Sequence, residues 1–154
     1  MFNQNSNSIV ISSKISELVG RKQESFRANQ WSAKDICLID LLRKHYFLSR
    51  SKPRSSIFEA CELLKIDTGQ ARIAFIEALM KNLFQALGRA PNIFAEGTKK
   101  LSNDEAWLLR IIISFHGRDY DSAVFLIRSR ILKSYVSGFT FLVQKTSETT
   151  FYDD

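Results

Sequence analysis

Four times along this chain a short oxygen-bearing side chain is followed, three residues later, by a carboxylate or an amide. The pairs are Ser32 with Asp35, Ser56 with Glu59, Asp67 with Gln70 and Ser102 with Glu105. In such a pair the first side chain accepts from the open amides of a helix's first turn, and the second answers the amide of the cap itself. Behind each pair an apolar pattern of helical period begins. Two prolines and six glycines are all that interrupt the 154 residues, so long irregular loops are not expected. The pattern predicts an all-α fold, a bundle-like single domain of six to seven helices spanning residues 13–145.

The helices can be placed one by one. A helix over about 13–28 aligns Ile15, Leu18, Val19 and Phe26. The next, over 33–49, carries Ile36, Cys37, Leu38, Ile39, Leu41 and Leu42. It is apolar on nearly all sides and is expected to lie centrally. Pro53 and its serines mark a break. A helix over 57–64 sets Ile57, Ala60, Cys61 and Leu64 at the i, i+3, i+4, i+7 spacing. A long helix over 68–87 stops at Gly88, and another over 103–116 stops at Gly117. Asp119 or Asp121 caps a sixth, over about 120–136. "GFTFLVQK", residues 138–145, reads as a short helix or as a strand, because its β-branched and aromatic residues serve both. Residues 1–12 are expected to be a disordered tail, and 146–154 a frayed acidic one.

A chain this long can bury a core, and its 45% hydrophobic and 25% charged residues are ordinary for a globular protein. The twelve phenylalanines at helical spacing read as core filling. Cys37 and Cys61 are too few for a disulfide scaffold or a zinc site and are expected to be buried, inert thiols. The amino terminus lacks the charge and apolar run of a signal peptide, and the longest apolar stretch, "WLLRIIISF", is broken by Arg110. A cytoplasmic protein without membrane contact is the expectation.

Charge is distributed unevenly. Residues 1–55 hold ten Lys/Arg against four Asp/Glu, and residues 56–154 hold twelve against twelve. The net charge of +6 therefore belongs to the first third, which can attract phosphate or an acidic partner or simply keep the protein soluble. The densest stretch, "RKHYFLSRSKPR", provides Arg43, Lys44, Arg50, Lys52 and Arg54 as candidate contacts, interleaved with His45, Tyr46 and Phe47. Cations there also complement a helix carboxyl end, with the aromatics packing inward. Arg128, Arg130 and Lys133 form a second, weaker cluster that reads as a solvated helix face.

Residues 62–79, "ELLKIDTGQARIAFIEAL", resemble the helix-turn-helix at the DNA-binding end of bacterial sigma factors and response regulators. The resemblance rests on Leu64, Ile66, Asp67, Ala71, Phe75, Ala78 and Leu79, with Cys61 as the small residue of the first helix. It implies that Thr68, Gln70 and Arg72 face a major groove, glutamine toward adenine and arginine toward guanine, while the cations at 43–54 grip phosphates. The chain departs from that class at Lys65, which stands where a turn glycine is usual. It departs again at Ile73, Ile76, Met80 and Phe84, which make the reading helix apolar where such helices are polar.

Catalytic signatures are sparse. "HGRDYD", residues 116–121, mixes His116, Asp119 and Asp121, but the aspartates are explained as caps and the histidine as a helix-end residue. No nucleophile elbow, phosphate loop, dinucleotide fingerprint or metal-binding spacing occurs. The expectation is a non-enzymatic helical protein, without cofactor or metal, that binds another macromolecule. An acidic protein partner contacting the basic first third ranks first and DNA second. An enzyme whose site is scattered over several helices, leaving no local signature, ranks last.

Overall fold

The computed structural model describes residues 31–51 and 57–151. The predicted tail 1–12, the predicted helix 13–28, the Ser56 cap and residues 152–154 lie outside the described residues. Within them are six α-helices and no strand: α1 (Ala33–Ser49), α2 (Ile57–Leu63), α3 (Thr68–Leu87), α4 (Asn103–His116), α5 (Tyr120–Arg130) and α6 (Val136–Thr150), with one 3₁₀ turn at Lys133–Tyr135. The protein is all-α. No helix among the described residues is long and apolar enough to cross a membrane.

Capping chemistry explains where α1, α3, α4 and α5 begin. Ser32 and Asp35 form a full capping box: the Asp35 amide donates to Ser32 Oγ at 3.2 Å and the Ser32 amide to Asp35 Oδ2 at 2.8 Å. Ser102 and Glu105 do the same at 3.1 and 2.8 Å. Asp67 accepts from the Gly69 and Gln70 amides, and Asp119 from the Ser122 amide. At the other end of α3, Gly88 takes φ 67°, a left-handed stop that glycine adopts without strain. Gly117 stays at φ −73°, and the left-handed residue after α4 is Arg118, at φ 59°.

The strut of the molecule is α3, which packs against α1, α2 and α6, while α4 packs on α5 and α6. Ala71, Phe75, Ile76, Ala78, Leu79, Met80, Leu83 and Ala86 are all buried along α3, a face wider than half its circumference. The expected central position of α1 is therefore corrected. That helix buries Leu38, Ile39, Leu42 and Tyr46 but leaves Cys37 and Phe47 exposed. Its apolar run wraps around the helix, and only one side meets α3 and α4. The expectation of a buried thiol at Cys37 and an inward Phe47 falls with it. Of the four apolar residues that set α3 apart from a reading helix, Ile76 and Met80 are buried, while Ile73 and Phe84 are 41% and 56% exposed on its rim.

The carboxyl-terminal third also differs from expectation. The helix predicted over 120–136 breaks at Ile131, where the Leu132 amide donates to Ala86 O at 2.9 Å and ties the turn to α3. "GFTFLVQK" lies within a helix that runs on to Thr150, so residues 146–150 do not fray. Thr146, Ser147 and Thr149 are buried, and Ser147 Oγ donates to Ile112 O of α4 at 2.9 Å. Trp107 joins three helices. Its Nε1–H donates to Leu126 O of α5 at 2.9 Å, and its ring stacks on Phe139 of α6 with centroids 5.9 Å apart.

Candidate functional site

The first residue of the basic segment is not a surface contact. Arg43 is 1% exposed. Its Nε and Nη2 donate to the two carboxylate oxygens of Glu105 at 2.7 and 3.0 Å, and Nη1 donates to Asp40 at 3.0 Å. The remaining donors reach Thr98 O and Lys100 O, both at 2.8 Å. Glu105 also accepts from the Phe94 and Ser102 amides, so one ion pair pins the loop between α3 and α4 onto α1. Burial alone would lower the Arg43 pKa, but Glu105 and then Asp40 outweigh it and hold the guanidinium above its ordinary value. The cation that charge counting assigned to a partner is consumed inside the protein.

The other candidates of that segment separate. Lys44 is exposed. Arg50 is exposed and leans on Tyr46, its guanidinium carbon 5.6 Å from the ring centroid. Lys52 and Arg54 lie outside the described residues. His45, which looked isolated in the sequence, is buried with Nδ1 3.4 Å from Glu77 of α3. Neighbours along the chain thus point to unrelated surroundings, because helical residues one apart diverge by about 100°.

Thr68, Gln70 and Arg72 meet the same geometry. Residues two apart on a helix face nearly opposite ways. Gln70 lines a groove with Glu59, Ala60 and Leu63 of α2. Arg72 lines a cleft of about 390 Å³ with Lys34, Cys37, Leu38 and Leu41 of α1 and Thr150 and Phe151 at the end of α6. The three come together only at the amino end of α3, where they border one open cleft with Ile66, Asp67, Gly69 and Thr149. Ile66, an apolar match in the helix-turn-helix resemblance, is 81% exposed there. Lys65 does not take a positive φ, since Arg118 is the only non-glycine that does so among the described residues. The turn instead closes through the Ile66 and Asp67 amides, which both donate to Leu63 O.

Two of the three "HGRDYD" candidates are occupied structurally, and Asp121 stands exposed in the first turn of α5. The His116 ring stacks on Phe151 with centroids 4.1 Å apart, and Asp119 caps α5. Among the described residues no three metal-ligating side chains converge.

A different surface, whose Arg128, Arg130 and Lys133 read in the sequence as a solvated helix face, is also apolar. Phe125 of α5 is 72% exposed, and Leu132, Tyr135 and Phe141 are exposed along the following turn and α6. On the same elements Val124 and Arg128 of α5, Ile131 and Lys133 of the turn, and Val136, Ser137 and Thr140 of α6 line a groove of about 710 Å³, while Tyr135 lines a separate pocket with Asn82 and Ala86 of α3 and the Phe141 ring meets Phe75 of α3 edge-on. The signal was present in the sequence, since residues 122–147 hold Arg128, Arg130, Lys133 and Lys145 and no carboxylate. No family model matches this chain, and neither a curated protein nor a solved structure matches it.

Proposed function

We propose that this chain is a non-enzymatic helical module that works by binding another protein. The observation that carries this reading is the exposed apolar surface of α5, the turn and α6. Phe125 above all leaves a large ring in water that core packing does not require. Val124, Ile131 and Val136 bring an apolar floor together on the same elements, apolar surface of the kind that marks interaction sites, and an exposed aromatic such as Phe125 is a favoured anchor in protein interfaces. The burial of Arg43 supports the same ranking from the other side, because it removes a phosphate grip from the basic segment.

The second reading, a DNA-binding regulator, is favoured by the cleft at the amino end of α3, where Thr68, Gln70 and Arg72 meet. One pair of experiments decides between them. A photo-crosslinking residue placed at Phe125 is expected to give the same protein adduct in repeated cell preparations. Anisotropy with random duplex DNA is expected to show no affinity that collapses between 50 and 200 mM salt, the signature of phosphate neutralisation. Steep salt-dependent DNA binding, lost on Arg72→Glu, with no protein adduct, would hand the function to the second reading.

A further inference from the structure

The groove between α5 and α6 has a chemistry more specific than exposure alone, and resting on the protein-binding reading above, we propose that it takes an acidic amphipathic helix of the partner protein. Three properties meet there. The first is its floor: Val124, Ile131 and Val136 are aliphatic and branched, and Ser137 and Thr140 keep the α6 wall low. The second is charge. Arg128 and Lys133 line the groove, are exposed, and have no hydrogen bond or ion pair among the described residues. The neighbouring cations are spent, Arg130 on Asp104 at 2.9 Å and Lys145 on Glu148 at 2.7 Å. Among the described residues no carboxylate lines the groove, and Asp121 stands one turn before its first liner.

The third property is size. From Val124 to Ile131 the α5 wall runs two helical turns, roughly 10 Å. That length suits apolar side chains at i, i+3 or i+4, and i+7 of a docked helix, the usual way an amphipathic helix enters a groove. Asp or Glu flanking such a ridge would meet Arg128 and Lys133, where charge pairs at a rim set orientation and partner choice. Nucleic acid fits poorly. Among the described residues the lining has no aromatic ring on which a base could stack, and two free cations neutralise too few phosphates for useful affinity.

The test uses the full chain and a displayed library of random 16-residue peptides, with the enriched peptide then synthesised and labelled. Arg128, Lys133 and Ser137 are exposed, so substitutions there leave the core alone. The selection is expected to enrich sequences that combine Asp or Glu with aliphatic residues at helical spacing. The double variant R128E/K133E is expected to weaken the labelled peptide by at least about tenfold, as loss of a paired hot-spot charge does. Ser137→Trp, which fills the groove, is expected to abolish binding. Basic or uncharged winners, winners indifferent to these variants, or an empty selection would overturn the proposal. Indifferent winners would move the protein-binding surface elsewhere and leave that reading standing. An empty selection together with a failed Phe125 crosslink would remove both. A labelled oligothymidine bound through Arg128 and Lys133 would assign the groove to nucleic acid, and a self-association lost in R128E/K133E would assign it to a second copy of this chain. Either result ends the proposal.

Discussion

Arg43 and Lys44 show how one residue step divides structure from surface. Both are basic, both sit on α1, and only Arg43 faces the carboxylates of Asp40 and Glu105. Removing one partner of a buried ion pair leaves the other charge uncompensated and costs about 3–5 kcal/mol. Arg43→Ala is therefore expected to lower urea stability by about that much, because Glu105 is itself 2% exposed. Lys44→Ala, an exposed change away from any such network, is expected to stay within about 0.5 kcal/mol. Equal effects in urea titrations would mean that the Arg43–Glu105 pair does not hold the loop to α1.

At the scale of an element, the end of α4 is the instructive case. A glycine at a helix stop usually signals the left-handed residue, yet Gly117 keeps an ordinary φ and Arg118 carries the left-handed one. The turn closes one residue later than the glycine because the Asp119 amide donates back to Ser114 O at 2.8 Å. A side chain in that conformation costs roughly 1–2 kcal/mol. Arg118→Gly relieves that strain but frees the unfolded chain, and is expected to raise stability by a few tenths to about 1 kcal/mol in thermal melts. A Cβ at Gly117 would sit 3.5 Å from Ile113 O, an ordinary contact, so Gly117→Ala is expected to be neutral or slightly stabilising. A clear loss on Gly117→Ala would contradict the assigned backbone. The starts of α1, α3 and α4, by contrast, were legible in the sequence. Capping is a contact between residues two or three apart, and it depends little on what packs above.

Across the whole molecule, Asp104 ties the pieces together. It accepts from both Nη atoms of Arg89 at the end of α3, from the Asn92 amide in the loop, and from Arg130 of α5. Burial pushes its pKa up, but the Arg89 hydrogen bonds, the Asn92 amide and the two positive charges outweigh it and hold the carboxyl below its ordinary value. A depressed folded pKa means that the carboxylate stabilises the fold fully above the unfolded value, and that this stability is lost as pH falls through the folded one. Asp104→Asn is expected to cost roughly 1.5–3 kcal/mol at neutral pH, the range for hydrogen bonds to a charged group. The gap from the unsubstituted protein is expected to narrow below the ordinary aspartate pKa and close once Asp104 is protonated. A gap independent of pH in acid titrations of unfolding would mean that the charge of Asp104 contributes nothing.

Local chemistry determined much of this protein before any packing was known. The all-α class, the starts of α1, α3 and α4, and the full extents of α1, α3 and α4 were all readable, because caps and helical periods act over three or four residues. Tertiary structure alone decided which helix is central, which cation is buried and which surface is left open. Arg43 and Glu105 are sixty-two residues apart, and Ser147 meets Ile112 across thirty-five. No spacing rule reaches that far, so a charge read as free becomes an internal strut and residues 146–150, read as frayed, become the end of a helix. The groove between α5 and α6 belongs to the same class: Arg128 and Lys133 acquire an apolar floor only when Ile131 breaks the chain and α6 folds back beside α5.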